Sequence, residues 1–381
     1  MTHTTRAARV RLDNGGRAPW HPLARRAFEE ALDDGWADPR RLHAEGRRAA
    51  ALLAGAREAV ADALGARTEE VVFTPSHSAS LHAAVAAVAG GRRRTGPRVV
   101  VGAVERAALL HAAEHGGLDR EVVGVDRAGR VDPGAMTAAV AAPGTALAAL
   151  QHANGEVGTL QPVAVVHDAC RAAGVPLLVD AGASLGHVAV QDAWDVLAAD
   201  PGDWGAAPGV GVLALRSRVR RRGPGPEDPD PFAPGGVGVP AAFSAAVGLQ
   251  AVLADRAAED ARRRALVERV RERVARVPDV EVVGDPVDRL PHVVTFSFLY
   301  VDGEALVTEL DREGIAVGSG SACTSSTLEP SHVLAAMGVL THGNVRLALD
   351  RSTTEEDVDR LLDVLPGAVA RVRATLGVEG L

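Results

Sequence analysis

Apolar residues recur along the chain in two alternating registers. Short runs rich in Val and Leu are "EEVVFTP" (69–75), "PRVVVGAV" (97–104), "TALAALQ" (145–151), "VPLLVDA" (175–181) and "VGVLAL" (210–215). They lack the regular polar positions of a strand with one wet face, and suit strands covered on both sides. Between them lie stretches of helical spacing, "RRAAALLAGAREAVADALGA", "RAALLHAAEHGG" and "VAVVHDACRAAG". The last two close on Gly, a usual helix stop. This alternation predicts an α/β fold with a mostly parallel central sheet.

Further on, "RRRGPGPEDPDPFAPGGVGVP" (220–240) has no periodicity and reads as a loop. The spacing then predicts one long helix from about 241 to 277, crossing between domains. Short strands "VEVVG" and "HVVTFSFL", with helices near 303–313, 329–337 and 354–375, predict a smaller α+β unit. Thr353 or Thr354 is placed to cap the last helix.

Composition narrows the function. The chain is 47% hydrophobic and 24% charged, as in ordinary folded proteins, and its net charge is −8. That balance argues against a nucleic-acid surface, so "GRRRTG" and "RSRVRRRG" are read as solvated loop faces. No apolar run has the length of a membrane span. The opening "MTHTTRAARVRLDNGG" lacks the apolar core of a secretory signal, and Cys170 and Cys323 make no disulfide framework. A cytoplasmic location is expected. The chain has no lysine, and all 41 of its Lys and Arg residues are Arg. Arginine stays protonated and forms no imine, so chemistry that needs a lysine amine is closed to this chain.

One segment presents a nucleophile. In "GSGSACTSSTLEPSHVL" (318–334), Cys323 sits among small and hydroxyl residues with little bulk to pack. Cys170, inside a helical stretch, reads as core. "HAAEH" (111–115) fits a zinc-protease pattern, but on a helix with thirteen His in the chain it reads as coincidence. "PGVGVL" is a strand-entry turn rather than a dinucleotide fingerprint.

The Cys323 segment strongly resembles the catalytic-cysteine loop of cysteine desulfurases, class V enzymes of the fold type I pyridoxal-phosphate group. The resemblance runs through "LDNGGRAPWHP", "ARTEEVVFTPSHSAS", "HANGEVGTLQPV", "AAGVPLLVDAGASLGHVAV" and "NVRLALDRSTTEEDVDRLL", in the family's order. It implies a type I pyridoxal-phosphate-transferase fold and a homodimer. The large domain would span 12–254, with 1–11 and 255–381 forming a small α+β domain that carries the Cys323 loop. Asp180 matches the residue that pairs with the pyridinium nitrogen. Arg346 matches the one that grips the substrate carboxylate.

Other matched positions depart from the family. The Ser-x-His-Lys segment that carries the imine reads Asp200, Gly202 and Asp203. The ring-stacking His is Arg106, the partner of the cofactor hydroxyl is Gly155, and the Gln after the pyridinium Asp is Ala183. The phosphate loop reads "SHSAS", with Ser76, His77 and Ser78, and has lost its Gly and Glu. His77 and His82 read as surface polar residues, with anion or metal binding as the alternative. Arg106 is expected to turn inward on Asp180, Asp203 or both, and Trp204 to fill space left by the cofactor.

The resemblance therefore implies sulfur transfer or iron–sulfur cluster assembly through Cys323, as a persulfide carrier or a cluster thiolate. Pyridoxal phosphate would not be bound covalently. The expected partners are a cluster scaffold or a sulfur acceptor, with no nucleic acid and no membrane. Two alternatives stay open: a non-catalytic scaffold or regulatory partner of an active desulfurase, and a genuine desulfurase with non-covalently bound pyridoxal phosphate.

Overall fold

The computed structural model describes residues 9–225, 228–319 and 330–377. In chain order the first half runs β1 (Val10–Arg11), α1 (Pro22–Asp34), α2 (Ala44–Leu64), β2 (Val71–Thr74), α3 (His77–Arg92), β3 (Arg98–Gly102) and α4 (Ala107–His115). It continues with β4 (Asp119–Val123), α5 (Pro133–Ala141), β5 (Thr145–Gln151), α6 (Val163–Ala173), β6 (Leu177–Asp180), β7 (Val196–Ala199) and β8 (Gly211–Leu215). Then come α7 (Val239–Ala254), α8 (Arg256–Val274), β9 (Val280–Val283), β10 (Val293–Phe298), α9 (Gly303–Arg312), β11 (Ile315–Ala316), α10 (His332–Met337), β12 (Asn344–Ala348) and α11 (Glu355–Thr375).

Seven strands form the main sheet in the order β2-β8-β7-β6-β5-β3-β4. All its pairs are parallel except those of β8 with β2 and with β7. β5 and β6 are buried at every residue, which is why their apolar runs show no alternation. This is the doubly layered α/β arrangement expected from the sequence. Two of its strands were not expected. β4 is exposed at all but its last residue and reads as polar, and β7 is a four-residue run beside "WD".

A second sheet, β12-β10-β9, is antiparallel and packs against α8, α9 and α11 in a separate hydrophobic core. Val10 and Leu12 belong to this core, because β1 pairs with β11. The long helix expected over 241–277 is two helices. The chain breaks at Asp255, whose carboxylate binds the Arg351 guanidinium. At the C-terminus Thr354 caps α11, with Asp357 completing a reciprocal capping box.

Candidate active site

The strands that lead into the site end together. β2, β3, β5, β6 and β7 point the same way, and their C-terminal ends deliver His77, Arg106, Gly155, Asp180 and Asp203 to one region. Ligand sites of open α/β sheets lie at this edge. Asp180 closes β6 and is 3% exposed.

Asp180 is engaged on both oxygens. Nε of Arg106 donates to Oδ2 over 3.2 Å, and the Gly182 amide donates to Oδ1 over 2.8 Å. Nε2 of His77 lies 2.9 Å from Oδ1. Burial alone would raise the Asp180 pKa. The charges of His77 and Arg106 outweigh burial and hold it well below the usual carboxylate range.

His77 is therefore no surface residue. It is 4% exposed and opens α3, which Ser76 caps by accepting from the Ala79 amide. Ser76 and Ser78 face solvent, and His82 is partly buried. In sequence the inward turn of His77 is hidden, because a cap followed by a polar residue ordinarily begins a solvated first turn.

Arg106 turns inward, and among the described residues its ion pair is with Asp180. Asp203, which the sequence resemblance matches to the family's lysine, takes its hydrogen bonds from elsewhere. Its Oδ1 accepts from the Gly16 amide over 2.8 Å, and its Oδ2 lies 2.9 Å from Nε2 of His187. Nη1 of Arg263 lies 3.0 Å from the other ring nitrogen, Nδ1. A guanidinium can only donate, so Nδ1 accepts and the proton sits on Nε2, directed at Asp203. His187 and Arg263 carry no sequence signal for this role, since each sits in an ordinary loop or an arginine-rich helix.

His187, Asp203 and His292 place one possible metal-ligand atom each within 4.8 Å of one another. The tautomer decides against a metal. Nε2 of His187 carries a proton and has no lone pair to offer. Burial, His187, Arg263 and Arg289 together hold His292 well below its ordinary pKa, and the same two guanidinium groups repel a further cation. The trio fixes Asp203 in place. A cavity of about 270 Å³ lies beside it, lined by Trp20, Trp204 and Arg263 among others.

The remaining matched positions are close-packed. A Cβ on Gly155 would lie 3.2 Å from Cβ of Ala183, so the two shortened positions face each other. The Asp200 side chain accepts from the Gly202 amide, and the Gly202 carbonyl accepts from Ala18. Burial raises the Asp200 pKa, and neighbouring Asp203 adds to the shift. Trp204 is buried and donates its indole N–H to the Ala245 carbonyl. Nη2 of Arg346 binds Asp13 at 2.9 Å. Cys323 lies outside the described residues. Cys170 is fully buried on α6, and burial pushes its thiol up to about 12.

Two further acids were missed from sequence. Glu105 is completely buried, and burial raises its pKa well above the ordinary value. Burial also pushes Glu156 up to about 7 against the opposing pull of Ser331 and Arg346.

Comparison with known proteins places this geometry. The family described as aminotransferase class-V matches residues 10–361. The protein "Cysteine desulfurase IscS 1" of Archaeoglobus fulgidus is 32% identical over 369 residues, covering 93% of this chain and 96% of its own. The "IscS-like cysteine desulfurase" of Mycobacterium tuberculosis is 35% identical over 391 residues, covering 97% and 98%. Among solved structures, a "NifS-like protein" superposes with a TM-score of 0.86 at 23% identity, covering 97% of this chain and 99% of that one. The apo cysteine desulfurase of Thermococcus onnurineus superposes with a TM-score of 0.84 at 23% identity, covering 95% and 94%. Those two establish the fold. With sequence matches that run almost the full length of both proteins, this chain belongs to the class V aminotransferase family, within its cysteine desulfurases.

Proposed function

We propose that the chain handles sulfur through Cys323 and does so without pyridoxal phosphate held on a lysine. The observation that carries this reading is the state of Asp180. A cofactor ring of this family would need its carboxylate for the pyridinium nitrogen, and here Arg106, His77 and the Gly182 amide already engage both oxygens. At the lysine position Asp203 is anchored by His187 and the Gly16 amide. These residues do not fit pyridoxal phosphate held by an imine and a pyridinium–carboxylate bond. The Cys323 loop, by contrast, is kept whole in the sequence.

The chemistry left to the chain is transfer of sulfane sulfur. The Cys323 thiolate attacks the outer sulfur of a donor protein's persulfide. The donor's S–S bond breaks, the donor leaves as a thiolate and Cys323 becomes the persulfide, with no net oxidation. An acceptor thiol reverses the step. Large apolar side chains exposed before, on and after α1, Trp20, Leu23, Leu32, Trp36 and Leu42, support a homodimer that covers them.

A second reading is a genuine desulfurase with non-covalent pyridoxal phosphate. It is favoured by the full-length likeness to proteins called cysteine desulfurases. On likeness alone it is the stronger reading; the pocket chemistry favours the first. The visible spectrum with and without added pyridoxal phosphate, followed by sulfide release from cysteine, separates them. A colourless protein that releases no sulfide, yet gains the mass of one sulfur atom at Cys323 beside an active desulfurase, is the expected result. A yellow protein that releases sulfide overturns it. Iron–sulfur absorbance that appears only with a scaffold, and is lost in Cys323→Ala, would assign Cys323 to a cluster instead.

A further inference from the structure

The cavity of about 270 Å³ beside Asp203 lies where the two hydrophobic cores meet. Of the residues that line it, Trp204 and Val252 belong to the core of the main sheet and Leu349 to that of the second sheet. Arg263 enters from α8 and His292 from the approach to β10. Boundaries between packed units are favoured places for small-molecule sites. The described lining residues do not include Asp180, His77, Arg106 or Arg346. The cavity is therefore separate from the positions that the family uses for cofactor and substrate carboxylate.

Its wall offers ring faces and a buried cation. Trp204 is 3% exposed, and its indole N–H is committed to the Ala245 carbonyl, so its ring is what remains for the cavity. Trp20 is held by a tilted contact with Phe28, their ring centroids 5.6 Å apart. Such rings favour a planar aromatic ligand, stacked offset or edge-on. Arg263 is 3% exposed. Its Nη1 meets His187 and its Nε donates to the Glu259 carbonyl, while among the described residues Nη2 makes no hydrogen bond. The Glu259 carboxylate lies 3.6 Å from Nε but gives both oxygens, at 3.0 Å, to Arg262. Burial weakens the hold of Arg263 on its proton, against the pull of Glu259, and Arg351 and Arg262 add to the effect. A buried guanidinium with an unused donor is costly until an acceptor meets it, and a carboxylate meets it most strongly.

The other titratable groups of the wall are engaged or uncharged. Asp203 is taken by the Gly16 amide and His187. Oδ1 of Asp350 accepts from the amides and hydroxyls of Ser352 and Thr353. Arg351 holds Asp255. Burial keeps His21 and His292 below their ordinary pKa, so neither carries charge near neutrality. Arg263 is left to orient a ligand. Size sets the rest: a dry cavity of about 150 Å³ takes one benzene ring, so about 270 Å³ accommodates two fused rings.

We propose that the cavity lined by Trp20, Trp204 and Arg263 binds a small aromatic carboxylate, its carboxylate on Nη2 of Arg263. This goes beyond sulfur handling at Cys323, and its test needs no sulfur chemistry, so the two can fail separately. The probe is 2-naphthoate, titrated calorimetrically into the full chain. Saturable binding of one molecule per chain is expected. 2-Naphthamide, of the same shape without the charge, should bind at least about tenfold more weakly, and so should octanoate, which lacks the rings. Arg263→Gln should lose at least about tenfold in affinity for naphthoate, whereas Arg346→Gln should keep it. An unaltered thermal melt excludes misfolding. If the melt of Arg263→Gln shifts, Trp20→Ala, at an exposed position, locates the site instead and should weaken naphthoate by about fivefold. Absence of saturable naphthoate binding, equal binding of naphthamide, or tighter binding of octanoate overturns the proposal. Equal binding by a well-folded Arg263→Gln also overturns it, as does loss of binding in Arg346→Gln, which would place the anion in the family's substrate site.

Discussion

A Cβ added to Gly182 would lie 2.3 Å from Cε1 and 2.7 Å from Nε2 of His77. The inward imidazole and the missing side chain are one feature, since His77 reaches Asp180 through the space that any larger residue at 182 would fill. Gly182→Ala should therefore expel His77 and destabilise the fold by about 1–3 kcal/mol, read from urea unfolding. In a His77→Ala background the same substitution should cost clearly less, because only the 2.9 Å approach to Oδ1 of Asp180 remains. Additive losses would show that the two positions act separately.

The vacated lysine position yields to the same reasoning. Asp203→Lys restores an amine but leaves Arg106 and His77 on Asp180. Incubated with pyridoxal phosphate and reduced with borohydride, this variant should gain no cofactor mass at residue 203. Adding Arg106→His and His77→Ala frees the carboxylate, and the triple variant should gain the adduct. Labelling of Asp203→Lys alone would mean that the Asp180 contacts are no barrier.

Much of the scaffold was legible because burial on both faces leaves its mark in composition. The runs that became β5 and β6 are apolar throughout, and "TTEED" announced the capped start of α11. The departures from the family's cofactor-site residues were also legible, since they rest on residue identity: an absent lysine and an Arg at 106 need no coordinates. The contacts those residues make were not. The pairing of Asp203 with His187, and of His187 with Arg263, joins three segments whose local patterns are a turn, a loop and a helix. The break at Asp255 escaped notice because the residues on both sides keep helical spacing, and a tertiary contact with Arg351 ends the first helix. Periodicity carries no trace of a contact between distant segments.

The two thiols should differ sharply in reactivity. Cys170 is fully buried, and its pKa of about 12 leaves almost no thiolate near neutrality. Iodoacetamide should leave Cys170 unmodified in the native protein and alkylate it after unfolding in guanidinium, as read by peptide mass. Native alkylation at Cys170 would mean that α6 opens readily from the sheet.

Glu156 gives the fold a pH signature of definite sign. Burial pushes its pKa up to about 7, so the folded chain keeps a proton that the unfolded chain releases near the ordinary value of about 4.3. Between those values the native state binds more protons, and stability falls as pH rises, levelling off above about 7. Glu105 is shifted in the same direction by complete burial. Asp180 works the other way: its depressed pKa contributes stability that is complete above about 3.9 and lost as pH falls through the acid range. Across the interval from about 4.3 to 7, the two glutamates make stability fall as pH rises, while His152 and His292, held below their ordinary values by burial, act with the opposite sign. Glu156→Gln removes one of them while keeping an acceptor for Ser331. Relative to the parent, the variant should lose one downward contribution to the slope and exceed it in stability at about pH 8 by up to about 3 kcal/mol. Urea midpoints across this range measure it. A slope unchanged by the substitution would place a charged Glu156 in the folded protein, stabilised by Arg346.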